Sequence, residues 1–416
     1  MLLPSGGIDT HRDPTIAASA GTPVVLAPRT TKRFTPREFA DLRRAVDIRS
    51  RTSRAVDENP RYATEVPDEV SLQLTYRCNL RCSHCYQWSE QGFFRDYSLE
   101  KQRSELDLEI VEDVLRSTYE RRSKLYVWGG EPLMHTRFPE VAQLLGRYPR
   151  TFNLCTNGLL LERNLPHLRP LAEHMHLLVS IDGLGADHDA LRGKGTFART
   201  VRNLQTVLDL QRAGDFPAEI AVECMVSNET VGRMYEFAEW AEELGLASVY
   251  FLFPWFISPQ VATAMDDLYA RCFDWLSPPA PGQRSTWHSY TYRLRPDNIP
   301  VLRASLARLQ EREWNLRLRY QPQLEDDEIE DFVLGTSRPA QRRSRCLSVS
   351  NRMEVHADGQ VSSCKFFPEF VVGDLHDQPM LDLWHNESFV RVREVLREEG
   401  LMPVCSKCIA LYMNGE

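Results

Sequence analysis

Three closely spaced cysteines, Cys78, Cys82 and Cys85 in the run CNLRCSHC, are the residues of this sequence best equipped for chemistry. Three thiolates can bind three irons of a cubane, whereas a fully protein-held cluster takes a fourth ligand. One iron is then left open, and an open metal position separates a catalytic centre from a structural one. A zinc site and a redox pair are the competing readings. The CxxxCxxC spacing lacks the paired CxxC of common zinc sites, which favours a cluster.

A second group follows near the other end of the chain: Cys346, Cys364, and the pair Cys405 and Cys408 in CSKC. Four thiolates make a closed set, suited to a zinc ion or a fully ligated [4Fe-4S] cluster, and on the residues alone zinc is favoured. The other cysteines, Cys155, Cys224 and Cys272, lie on or near apolar segments and read as buried small hydrophobes. Gly129 and Gly130 in WGGEP remove Cβ atoms where backbone must approach a ligand closely, and Pro132 stiffens the exit; a tight turn without a ligand is the alternative. Ser180 and Asp182 in VSIDG offer a hydroxyl and a carboxylate at a strand end. Arg192 in the loop that follows can pair with a ligand carboxylate.

These residues need a scaffold. The chain has 416 residues, beyond the usual single-domain size, so one large domain with a smaller appendage is expected. Its 42% hydrophobic and 26% charged residues suit a globular protein, and a net charge of -8 offers no general field for a nucleic-acid backbone. The sequence carries neither a long apolar run nor a signal-peptide pattern, so no membrane partner and a cytoplasmic location are expected. In that compartment the cysteines argue for metal or redox chemistry before disulfides.

Four regions are expected. Residues 1–67 form an extension whose one convincing helix, TPREFADLRRAVDIRSR, is opened by Thr35 and Pro36. Residues 68–256 alternate short apolar runs with amphipathic helical stretches, giving six strand candidates and an α/β fold, either an open barrel or a wound sheet. In either, the loops after the strands gather at one mouth. Residues 257–340 read as a mostly helical connector, in which the acidic run from Glu325 to Asp331 and the arginines after it read as a solvated connector ahead of the alternative, a substrate surface. Residues 341–416 read as a small unit with a β-hairpin turning at Asp358-Gly359 and a helical segment after it.

Over residues 70–410 the sequence resembles the radical S-adenosylmethionine (SAM) superfamily, and within it the members with a C-terminal SPASM or twitch domain. The resemblance rests on LTYRCNLRCSHCY, WGGEP, CTNG, VSIDG with HDALRGKGTF, and the later cysteines. It implies a partial (β/α)6 TIM-type barrel with a small twitch domain. It implies SAM on the open iron of a [4Fe-4S] cluster held by Cys78, Cys82 and Cys85, and a 5'-deoxyadenosyl radical that abstracts a substrate hydrogen. By the same resemblance Gly129, Gly130 and Glu131 bind the methionine ammonium. Ser180, Asp182 and Arg192 serve the ribose or the methionine carboxylate, and Asn228 and Leu252 border adenine. The Cx12Gx4C and CxxC pattern resembles the twitch motif and implies an auxiliary [4Fe-4S] cluster on Cys346, Cys364, Cys405 and Cys408. Four cysteines instead of the seven of a full SPASM motif imply one such cluster.

Lys365 stands where the sulfatase-maturing relatives carry an acidic base, so contact with an anionic substrate group is expected of it. The resulting expectation is an oxidoreductase of a ribosomally made peptide, served by a reductant protein such as flavodoxin or ferredoxin. The alternatives are a dehydrogenase of a small alcohol or aminocyclitol, a non-catalytic Fe-S sensor and a zinc-stabilised binding protein. The extension lacks the strand-rich pattern of a peptide-recognition module, so a leader peptide would need another surface or another protein.

Overall fold

Each of the six apolar runs forms a strand: β1 (Glu69–Gln73), β2 (Lys124–Trp128), β3 (Phe152–Thr156), β4 (Met175–Ser180), β5 (Glu219–Met225) and β6 (Ser248–Leu252). The computed structural model describes residues 28–276 and 284–416. The six strands pair in parallel in chain order. Parallel neighbours require a crossover, and helices such as Leu108–Ser117, Phe138–Arg147, Thr196–Arg212 and Met234–Glu243 supply it. Side chains alternate across the pleat. Leu125, Val127, Leu154, Val179, Val222 and Phe251 are fully buried or nearly so, in the core shared with the helices. The intervening positions of β2 and β3 stay half-buried.

A seventh parallel strand, β7 (Arg317–Gln321), extends the sheet beside β6. It falls in the stretch expected to be mostly helical, among the helices Pro259–Cys272, Ile299–Leu309 and Ile329–Leu334 that do form there. Arginines 317 and 319 interrupt its apolar signal, yet Leu316, Leu318 and Tyr320 are buried at period two.

On the opposite edge the expected hairpin forms from β8 (Arg352–Val355) and β9 (Gln360–Ser362), with Gly359 at φ +78° in the turn. The strand β8 lies parallel to β1, and β10 (Val371–Asp374) pairs antiparallel to β9. The order is therefore β10-β9-β8-β1-β2-β3-β4-β5-β6-β7, a partial TIM-type barrel whose sheet runs on into the C-terminal unit. Thr35 and Glu38 form a reciprocal capping box at the start of the helix Pro36–Glu58. Among the described residues no helix is long and apolar enough to cross a membrane.

Candidate active site

The loop after β1 is folded around its own thiols. The Leu80 amide donates to the Cys78 sulfur at 3.4 Å and the Trp88 amide to the Cys85 sulfur at 3.3 Å. Trp88 Nε1 donates to the Tyr76 carbonyl at 2.7 Å, which clamps the far end of the loop back onto its start, just past β1. Burial pushes the Cys78 and Cys82 thiols up to about 12, so ligation of a metal there must expel protons. All three cysteines line one cavity of about 250 Å³ at the strand C-terminal ends.

Gly129, Gly130 and Glu131 line the same cavity. The Gly130 amide donates to the Thr75 carbonyl and the Glu131 amide to the Arg77 carbonyl, each at 2.7 Å. A Cβ at Gly130 would stand 2.3 Å from the Arg77 oxygen and 2.4 Å from the Tyr76 oxygen. The glycines are thus required by the contact of this loop with the cysteine loop. Glu131 is 1% exposed. Its oxygens accept from the Leu133 amide (3.2 Å), the Thr156 hydroxyl (2.7 Å) and the Asn157 amide (2.8 Å), joining the ends of β2 and β3. Burial raises its carboxyl to about 7 in spite of these donors.

Ser180, Arg192 and Leu252 also line the cavity, while Asp182 and Asn228 do not. Asp182 is fully buried behind the wall. It accepts from Arg192 Nε at 2.5 Å and from the Met225 amide at 2.8 Å, and His84 Nε2 lies 3.3 Å away. Burial favours its protonated form, but the Arg192 guanidinium outweighs that and holds the carboxyl below its usual range. Arg192 is therefore a fixed cation between Asp182 and the Cys82 sulfur, 4.0 Å from its Nη1. Burial drives His84 down to about 4, so it is neutral. The Asn228 carboxamide is engaged by Arg295, Asn298 and the Arg293 carbonyl, which anchors the segment carrying Ser289 to Tyr292.

Cys346, Cys364, Cys405 and Cys408 come together around a second cavity of about 40 Å³. Among the described residues no three Cys, His, Asp or Glu converge closely enough to hold a single metal ion. The four thiols share the lining of this cavity, a donor set that suits a fully ligated cluster. Lys365 lines both cavities. Its ammonium sits 3.8 Å above the centre of the Tyr126 ring, and burial, assisted by Arg352, lowers it to about 8.

The floor of the larger cavity holds residues the sequence reading left out. Glu223, in the middle of β5, accepts from the Cys155 thiol at 3.2 Å, and burial raises its carboxyl. Cys155 is accordingly a polar lining residue and not a buried hydrophobe. A glutamate inside an otherwise apolar parallel strand was the available signal, since such strands read as near-continuous hydrophobic runs. Tyr86 stacks on Tyr290 at 4.6 Å, and Trp255 meets Phe366 edge-on at 4.6 Å, so the remaining wall is aromatic. Trp255 Nε1 and Ser289 Oγ are buried there without hydrogen-bond partners.

Residues 72–247 match the family profile described as the radical SAM superfamily, and residues 346–409 match SPASM, described as an iron-sulfur cluster-binding domain. Mycofactocin maturase MftC of Mycolicibacterium smegmatis is 29% identical over 222 residues, 51% of this chain and 52% of the maturase, so the match spans about half of that relative. An AdoMet-dependent heme synthase of Methanosarcina barkeri is 26% identical over 347 residues, 82% of this chain and 89% of the relative. In fold, Streptococcus suis SuiB, solved with its precursor peptide SuiA, aligns with a TM-score of 0.53 at 13% identity, covering 86% of this chain and 72% of that one.

Proposed function

The chain belongs to the radical SAM superfamily and carries a C-terminal SPASM domain, and on that premise we propose that it oxidises a peptide substrate bound between its two thiol sites. The observation that carries the proposal is Lys365, which forms part of the wall of both cavities and so puts a substrate held in the larger one beside the four-thiol site. Cys78, Cys82 and Cys85 would hold a [4Fe-4S] cluster with SAM on its open iron, and with one electron from a reductant protein that pair would supply a 5'-deoxyadenosyl radical, plus methionine, for hydrogen abstraction from the substrate.

The chain's own residues do the rest. The amides of Gly130 and Glu131 are spent on the cysteine loop, so the carbonyl oxygens of this turn are what it offers the methionine ammonium. Ser180 and Arg192 remain on the cavity wall for the carboxylate and ribose. The rings of Tyr86, Tyr290, Trp255 and Phe366 exclude water from a reactive radical. Net oxidation of the substrate radical requires an acceptor for one electron and one for a proton. Cys346, Cys364, Cys405 and Cys408 would hold one auxiliary [4Fe-4S] cluster, which would supply the electron acceptor, and Glu223 takes the proton on its oxygen not engaged by Cys155.

A peptide is supported by the maturase relative and by the two partnerless donors Trp255 Nε1 and Ser289 Oγ, which suit a carbonyl-rich ligand. The heme synthase relative, matched over most of both chains, keeps a small-molecule substrate as the second reading. The test is reduction with dithionite in the presence of SAM. Wild type should form 5'-deoxyadenosine, and Ala at Cys78, Cys82 and Cys85 should abolish it. Ala at Cys405 and Cys408 should lower iron from about eight to about four per chain, leave SAM cleavage and stop substrate oxidation. Absence of 5'-deoxyadenosine from the fully loaded wild type refutes the proposal.

A further inference from the structure

Arg352 opens β8 and is buried, its side chain 8% exposed. Its Nη1 pairs with Glu69 Oε1 at 2.7 Å across the β8–β1 ladder, where the two residues are in register. Its other donors, Nε and Nη2, are buried with no hydrogen-bond partner. A buried guanidinium with two nitrogens left without acceptors carries the full desolvation penalty of both. Glu354 Oε2 does not relieve it. That oxygen lies 4.0 Å from Nη2, beyond hydrogen-bond reach, and even a closer approach would leave Nε unmet. Glu354 uses its other oxygen for Ser71 and Trp128.

Arg352 also lines the small cavity, along with Cys346, Cys364, Cys405 and Cys408. An iron-sulfur cluster held by four thiolates is an anion with sulfur acceptors, and hydrogen bonds to its sulfurs and its net charge set its reduction potential. The unmet donors and this cavity fit each other. We propose that Arg352 directs Nε–H and Nη2–H to the sulfurs of the auxiliary cluster and holds that cluster at a higher reduction potential than its four thiolates alone would give. Arg352 is thus a positioning and tuning residue that touches no substrate. Glu69, which shares its guanidinium, opposes the effect by partly cancelling the charge. The inference rests on the four cysteines holding a cluster. It adds that the chain sets the cluster as an acceptor of electrons, the direction oxidation requires.

The test uses the full chain with Ala at Cys78, Cys82 and Cys85, reconstituted anaerobically with iron and sulfide so that only the C-terminal cluster remains. Its midpoint potential is read by electron paramagnetic resonance during a redox titration. Arg352→Gln should weaken the one-electron acceptor at least tenfold, a shift of about 59 mV to more negative potential. Arg352→Lys, which keeps the charge but not the forked donors, should fall between. Glu69→Gln should shift the potential the opposite way, whereas a purely structural role for the pair predicts loss of stability in both variants and no opposed shifts. An iron-loaded Arg352→Gln protein with the parent's potential overturns the inference and leaves the cluster reading intact. If Arg352→Gln does not hold iron, Glu69→Gln decides, and an unmoved or more negative potential overturns the inference. A parent that binds no iron at this site removes both.

Discussion

At Gly130 a single Cβ decides whether two loops can meet. That carbon would overlap the carbonyl oxygens of Tyr76 and Arg77 at 2.3–2.4 Å, and backbone on both sides leaves it no room to relax. Gly130→Ala should therefore displace the cysteine loop although it removes no ligand. The expected result is loss of the N-terminal cluster's iron and of 5'-deoxyadenosine formation. Gly232→Ala, whose Cβ would meet only the Val301 side chain at 3.5 Å, should retain both. Equal iron content in the two variants would show that the contact is dispensable. At this scale it was legible that the cysteines of each group would share one space, because thiols at fixed intervals leave few other uses. The roles of neighbouring polar residues were less so. Asp182 sits at a strand end in sequence, but its carboxylate is turned to Arg192 and Met225, and only the structure reveals which side of the wall it occupies.

Among the elements, periodicity identified the six strands and the hairpin because each buries a local apolar pattern. It did not identify β7, nor that β8 would pair with β1 across some 280 positions of sequence, since pairing between distant strands leaves no local mark. What ties the N-terminal helix Pro36–Glu58 to this sheet is also long-range: Arg317 at the head of β7 is paired with Glu38, the same residue that closes the capping box. Burial favours the neutral acid of Glu38, but the Arg317 guanidinium and the Thr35 backbone outweigh it and hold the carboxyl at about 2 instead of 4.5. A depressed carboxyl stabilises the fold fully above its unfolded value and loses that contribution as pH falls through the folded one. Glu38→Gln should thus cost about 1 kcal/mol at pH 7. The deficit should hold down to about pH 4.5 and then shrink toward pH 3, measured as the difference in urea midpoints of the metal-free chains. A deficit independent of pH would assign the loss to the cap and not to the ion pair.

For the molecule as a whole, the sequence reading separated a core from an appendage, whereas the sheet joins them. The strand β8 is the neighbour of β1, so the unit that carries Cys346 and Cys364 completes one edge of the sheet that carries Cys78. Further ties cross the same boundary: Tyr76 to Asp358 at 2.9 Å, Trp384 Nε1 to the Thr64 carbonyl at 2.6 Å and Tyr290 to the Phe366 carbonyl at 3.0 Å. Met353, Val355 and Val361 are fully buried in the common core, and stripping them of it would expose β1 as an open apolar edge. The two halves should therefore unfold together. Anaerobic heating of the fully loaded chain is expected to give one transition, with far-ultraviolet circular dichroism and the absorbance of both iron sites lost at the same temperature. Ala at Cys405 and Cys408 should lower that single midpoint for the whole chain, including the N-terminal iron site some 320 residues away in sequence. Truncation before residue 341 should yield an insoluble core. Two separated transitions, or a soluble truncated core that still cleaves SAM, would mean that the shared sheet does not couple the sites, and the short path from substrate to the four-thiol cavity would then depend on docking between independent units.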